Sequence, residues 1–252
     1  MRTEDVLTCA VDIGSEMLIC GAEVRRVERT VQLIGKAYGC RRVDVFTITS
    51  SMVVTVQDAQ GEHMTLSRRI SKDATDLYRL HRLNDLSREI CRDLPDMDYI
   101  RSRFDAIMAE KRFPVWAEIL AAALAAGGFA VFFGGGARDA LCAFFLGILT
   151  RFVTHVMGKA GVNQLFTNMA AAFLLSLGAA GAVVSGVVQD AAIMIIGTIM
   201  LLIPGRALTS SLRDMIDGDM MSGILRFLSA VLSAVAIAAG YLLAAQITGG
   251  AL

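Results

Sequence analysis

Beyond residue 113 the chain changes character. Apolar runs follow one another with few charges between them, at about 115–133, 140–156, 168–188, 191–203 and 223–247. An α-helix needs roughly 20 apolar residues to cross a hydrocarbon layer of about 30 Å. Four of the runs come near or exceed that length, and the fourth is shorter, stopped by Pro204. The expected architecture over 114–252 is therefore an all-α bundle of five transmembrane helices. The charges agree: 18 of the 24 basic and 18 of the 24 acidic residues lie within 1–113, leaving six of each for the rest. A soluble half precedes a membrane half, and the lipid bilayer is the first partner the sequence names.

Residues 1–113 read as one α+β domain. From Glu4 to Tyr38 apolar residues recur at three and four: Val6, Leu7, Ala10, Val11 and Gly14, then Val24, Val27, Val31 and Ile34. This spacing predicts two amphipathic helices that meet near Cys20-Gly21, the second closed by Gly39. The strings VDVFTITS, MVVTVQD and HMTLSRRI change to the β-branched pattern of strands, with a hairpin at 59–61. Helical spacing returns over 74–94 and 96–110, punctuated by Pro95. The order is ααβββαα, large enough for a core of its own.

Basic and acidic residues are interleaved and the formal net charge is zero, so no nucleic-acid partner is expected. The first twenty residues hold four acids and no apolar core behind a basic start, which is not the pattern of a secretory leader. The five cysteines form no CxxC pair and read as reduced thiols, with neither a metal nor a cofactor implied. No HExxH, Walker loop or GxSxG is present, so no enzyme is expected. Basic residues set the orientation. With Lys111 and Arg112 inside, Lys159, Arg206 and Arg213 also fall inside, and Arg138 alone falls outside. The positive-inside rule then predicts a multi-pass protein of the cell (inner) membrane, with a cytoplasmic N-terminal domain and its C-terminus outside.

Small residues recur at four-residue spacing in the apolar runs, as at Ala122 and Ala126 or Ala182 and Gly186, which suits close helix packing in lipid. The sharpest local feature is LLIPGRALTSSLRDMIDGD, residues 201–219. Pro204 lacks an N–H and Gly205 is permissive, so the fourth helix is expected to break there. Thr209 or Ser210 would cap a short polar helix that Gly218 ends. Such a segment is covered by protein or lines a wet cavity, or else it is a plain interfacial connector. Ionisable groups near the spans are few, among them Glu118, Arg151, Asp190 and Arg226. Arg151, about two turns from the inside end of its run, reads as functional or as a snorkelling side chain. Asn163, Gln164, Thr167 and Asn168 read as ligand hydrogen-bonders or as caps of the third span. In GAEVRRVERT, residues 21–30, the charges by themselves suggest a solvated, salt-bridged helix surface.

GAEVRRVERT with VDVFTITSSMVVTV, and then LLIPGRALTSSLRDMIDGDMMSGILR, resemble the threonine/serine exporter family. Some members fuse two membrane halves into roughly ten spans; others divide them between a long chain with a cytoplasmic domain and a short membrane-only chain. This sequence is similar to the long, YjjP-type component of a split exporter of succinate-like dicarboxylates. The resemblance implies proton-gradient-driven export of small polar metabolites and a short integral-membrane partner subunit; a homo-oligomer stays open. It places Gly21, Glu23, Arg26 and Glu28 in the family's first motif. Pro204, Gly205, Arg213, Asp214, Gly218, Asp219, Ser222, Gly223 and Arg226 fall in its second. Substrate or gating roles are expected for Pro204, Gly205, Arg213, Asp214, Gly218, Asp219 and Arg226 of the second motif together with Arg151 and Asn168, Arg213 or Arg226 pairing with Asp214 or Asp219. Two other readings remain: a membrane-anchored regulatory or binding module, and a homo-oligomeric channel.

Overall fold

A computed structural model describes residues 2–71, 74–110, 113–188 and 191–249. Lys111, Arg112 and Asp190, which entered the orientation and charge arguments, lie outside the described residues. The chain divides into two compact units: Met1–Lys111 together with Leu208–Phe227, and Arg112–Ala207 together with Leu228–Leu252. The motif around Arg213 and Asp214 thus groups with the N-terminal residues rather than with the spans that flank it in sequence.

The first unit has the expected order, α1 (Thr3–Ile19), α2 (Val24–Ala37), β1 (Arg42–Ile48), β2 (Ser51–Gln57), β3 (His63–Arg69), α3 (Leu77–Asp93) and α4 (Met97–Ala109). The three strands form an antiparallel sheet in sequence order, with Val43 opposite Val56 and Val45 opposite Val54. Because strand side chains alternate, Met52, Val54 and Val56 all fall on the covered face of β2 and are buried. Val11, Ile13 and Met17 of α1 and Val24, Val27, Val31 and Ile34 of α2 complete that core. At Gly14 a Cβ would lie 2.6 Å from Val31 Cγ2, so a side chain there would force α1 and α2 apart. Two N-caps fix the later helices: Asp76 accepts from Arg79 N at 3.0 Å and Asp96 from Tyr99 N at 2.8 Å.

The remaining helices are α5 (Val115–Phe132), α6 (Ala137–Lys159), α7 (Gln164–Val184), α8 (Ala192–Ile199), α9 (Gly205–Ile216) and α10 (Met220–Ile247). Among the described residues α5, α6, α7 and α10 are long and apolar enough to cross a membrane, so four candidate spans stand where five were expected. The fourth expected crossing, 191–203, contains only the eight-residue α8, about 12 Å of helix. The break also comes earlier than Pro204. A proline ring collides with the carbonyl four residues back, here Met200, and pushes the preceding residue out of helical geometry. Residues 200–204 are accordingly turn and irregular chain.

Pro204 stands directly before α9, which already begins at Gly205. Thr209 and Ser210 are therefore inside that helix and cap nothing at its start. Gly205 is not among the glycines of positive φ, whereas Gly218, which ends α9, has φ 98°.

Small residues do set the spacing of the membrane unit. A Cβ on Gly147 of α6 would lie 2.9 Å from Ala123 Cα, and one on Gly197 of α8 2.8 Å from Ala130 N. On Gly240 of α10 it would lie 2.2 Å from Met169 O of α7. Gly186 does other work: with φ 71° it follows the last turn of α7, and a Cβ there would meet open space.

Candidate functional site

In the membrane unit a cavity of about 320 Å³ opens between α5, α6, α7 and the unwound stretch after α8. Its walls are Ala122, Thr150, Arg151, Thr154, Gln164, Asn168, Leu201 and Leu202. Five of the eight are polar, between helices that are mostly apolar. Arg151 forms an ion pair with Glu118, in the first turn of α5, so it does not simply snorkel. Gln164 Nε2 donates to Asn168 Oδ1 at 2.8 Å, and Asn168 is 5% exposed. Asn163 is the cap, accepting from Leu165 N at 2.8 Å. Thr150 is 2% exposed, and its hydroxyl has no hydrogen-bond partner among the described residues. A buried hydroxyl without a partner costs roughly 1–3 kcal/mol, so its place on a cavity wall is chemically informative.

The unwound residues belong to the same feature. Leu201 and Leu202, in the turn that follows α8, line this cavity. The sequence had singled out Arg151 and Asn168 but not Thr150 or Thr154, whose hydroxyls on an apolar helix carry no spacing signal. Glu118 stands out in the sequence only as one of the few ionisable groups near the spans.

The second cluster lies in the first unit, where the turn between α1 and α2 meets the corner between α9 and α10. Gly21 makes that turn with φ 89°, and Ala22 N donates to Met17 O at 3.0 Å. Arg213 donates to Glu23. Arg226 Nη1 is 3.5 Å from Asp214 Oδ2, and Arg226 Nη2 donates to Ala22 O at 3.5 Å. Asp214 also accepts from the Val24 backbone N–H. Arg25 Nη1 is 3.5 Å from Asp217 Oδ1.

The charges of residues 21–30 thus reach across to other elements instead of bridging along α2. Arg26 Nε donates to Asn84 Oδ1 at 3.1 Å, and Glu28 Oε1 accepts from Thr47 N at 2.9 Å. Of the pairings expected within 213–226, Arg226 with Asp214 is present, while Arg213 takes Glu23. Asp219 has a buried Oδ2 without a hydrogen-bond partner among the described residues. A Cβ on Gly223 would lie 2.8 Å from Ser211 O, so the α9–α10 corner closes only around glycine.

Burial raises the Asp214 carboxyl above its ordinary value, against the pull of Arg226 and the Val24 N–H. Glu28 is raised as well, by burial first, with Asp219 adding to the shift. Desolvation outweighs the available partners at both acids.

Residues 8–248 match the family model described as "Putative threonine/serine exporter". The chain is 23% identical over 236 residues to "Probable succinate transporter subunit YjjP" of Klebsiella aerogenes, covering 91% of this chain and 88% of that one. The Escherichia coli (strain K12) protein of the same description is 23% identical over 259 residues, with 99% and 98% covered. The "Threonine/serine exporter" of Corynebacterium glutamicum is 25% identical over 252 residues, which take in 96% of this chain and 51% of that longer protein. No solved structure matches the chain.

Proposed function

The chain belongs to the threonine/serine exporter family, a family of transporters rather than of enzymes, and on that premise we propose that it is the long subunit of a split secondary exporter of small polar metabolites. The observation that carries the reading is the polar cavity of the membrane unit, enclosed by three candidate spans and an unwound stretch of chain. A device that only anchored a soluble domain has no need of an arginine, two amides and two threonines inside an apolar bundle. Broken helices beside such cavities recur in secondary transporters, where free backbone ends meet ions and substrates.

In this reading 191–204 is a fifth, discontinuous crossing, part α8 and part unwound chain. It leaves the N-terminal domain in the cytoplasm and the C-terminus outside the inner membrane. An odd number of passes allows a homologous short partner to insert in the opposite sense and complete an inverted repeat. The solute is threonine or serine, as the Corynebacterium glutamicum relative's description suggests, or a succinate-like dicarboxylate, as that of the YjjP relatives does. Export is driven by the proton gradient.

The corner of Arg213, Asp214, Gly218, Asp219 and Arg226 acts as the gate. Arg226 holds α10 against Asp214 and the α1–α2 turn, and protonation of an acid in this cluster frees the arginine. Pro204 and Gly205 set where α9 begins, and Gly21, Glu23, Arg26 and Glu28 form the seat that receives the corner.

The test is efflux from proteoliposomes that hold labelled threonine, serine or succinate. The long chain together with a short partner should release one of them when a proton gradient is imposed, and the long chain alone should not. Gradient-independent leakage from the long chain alone would point to a channel instead.

A further inference from the structure

Arg151, on the cavity wall, is already engaged with an anion, Glu118 of α5. Neither is sealed away: their side chains are 39% and 29% exposed. The polar groups that surround the arginine do not satisfy it. Gln164 and Asn168 are bonded to each other, and the Thr150 hydroxyl is buried with no partner among the described residues. A guanidinium presents five N–H donors in a planar fork that matches a carboxylate, so one glutamate leaves it unsaturated.

From this geometry we propose that the Arg151–Glu118 pair is a carboxylate-binding site with a built-in competitor. The carboxylate of the solute replaces Glu118 on the Arg151 guanidinium, inside the cavity walled by Thr150, Thr154, Gln164 and Asn168. The Thr150 hydroxyl, buried beside Arg151 on α6, supplies a further hydrogen bond to the entering group. Without solute, Glu118 neutralises the arginine and keeps an uncompensated charge out of the apolar interior.

The proposal rests on the exporter reading and adds to it the ligand's chemistry: a small molecule with a free carboxylate. A displaced Glu118 remains close to Arg151, and its fate separates two kinds of ligand. A zwitterionic amino acid brings its own ammonium to meet Glu118. A dicarboxylate brings a second negative charge, which Glu118 repels.

Equilibrium binding of labelled threonine and labelled succinate to the full chain in nanodiscs, with and without the short partner, tests the site apart from transport. The bound probe should lose at least ten-fold in affinity in Arg151→Lys, because an ammonium cannot offer the fork. Arg151→Gln should bind no more tightly than that. Thr150→Val, which keeps shape and removes the hydroxyl, should weaken binding several-fold.

Glu118→Gln reports the ligand class by its sign. Weaker binding identifies a probe that uses Glu118 for its ammonium, and tighter binding identifies one that competes with it. Both outcomes support the site. Unchanged affinity in Arg151→Lys and Glu118→Gln, in variants that keep wild-type thermal stability, overturns it. Transport that persists in those variants would reject this site and leave the exporter reading intact. Arg151-dependent binding without any transport would do the reverse.

Discussion

Arg226 Nη1 stands 3.5 Å from Asp214 Oδ2, with the aspartate side chain 1% and the arginine side chain 15% exposed. Twelve residues separate them in sequence, and the reversal of chain at Gly218 brings them together. Arg213, next to Asp214, points elsewhere and takes Glu23 at the start of α2. Two adjacent residues of one short helix therefore tie the corner to the α1–α2 turn separately, Arg213 through Glu23 and Asp214 through the Val24 N–H.

Removing the arginine leaves a buried carboxylate without its cation. For buried pairs that change costs roughly 3–5 kcal/mol, and the partial exposure of Arg226 places it toward the lower end. Arg226→Gln should lower the unfolding midpoint of the N-terminal unit in detergent. It should also abolish efflux while the protein still reaches the membrane. Asp214→Asn, which keeps the acceptor shape and removes the charge, should cost less stability. Arg213→Gln should cost least, because its side chain is mostly exposed.

The close approach of α7 and α10 depends on Gly240. A methyl group there would meet the Met169 carbonyl at 2.2 Å, far inside contact distance. Backbone cannot yield as a side-chain tip does. Gly240→Ala should destabilise the membrane unit by about 1–3 kcal/mol, the usual range for overpacking. Thermal unfolding in detergent would show it. Gly128→Ala, on α5 where a Cβ meets open space, is the matched control and should leave the midpoint unchanged.

The raised acids give a pH dependence of known sign. A carboxyl held above its ordinary value binds its proton more tightly folded than unfolded. The contribution of such a group is fully present below the unfolded value and is lost as pH rises through the folded one. For Asp214 and Glu28 that decline begins near their ordinary values of 3.8 and 4.5. The difference in stability between wild type and Asp214→Asn, and between wild type and Glu28→Gln, should therefore move against the wild type as pH is raised from this region toward neutrality. Denaturant titrations at a series of pH values measure it.

Cys9 is buried in α1, and burial, with Asp12 adding to it, pushes its thiol up to about 12. At pH 8 almost none of it is thiolate. Alkylation of the folded chain should label Cys91, which is only partly buried, well before Cys9. Mass spectrometry of the digested protein gives the order directly. Equal rates at the two sites would contradict the placement of α1 in the core.

Much of the fold was legible because the periods are strong. The β-branched alternation of 43–57 could only be a half-buried pair of strands, and the helix boundaries of the N-terminal unit fall within a few residues of their apolar stripes. The short fourth run was harder. Its composition is that of a span, and the backward reach of Pro204 to Met200 is a steric effect that hydropathy does not register. Arg151 and Asn168 stood out as polar residues on apolar helices. Their neighbours Thr150 and Thr154 did not, since threonine is ordinary in a membrane helix. The seat formed by Glu23 for Arg213 was out of reach altogether. A pair 190 residues apart leaves no local pattern.

In the transport reading the turn at Leu201 and Leu202 faces a water-filled cavity rather than lipid. Single cysteines at Leu201 and Leu202, in a chain whose five native cysteines are replaced, would be exposed to a charged, water-borne thiol reagent in intact proteoliposomes. A cysteine at Phe145, on the exposed apolar face of α6, serves as the lipid-facing reference. Labelling at 201 and 202 should be at least ten-fold faster than at 145 and should be slowed by the solute that the transporter carries. Rates at 201 and 202 no higher than at 145 would contradict it.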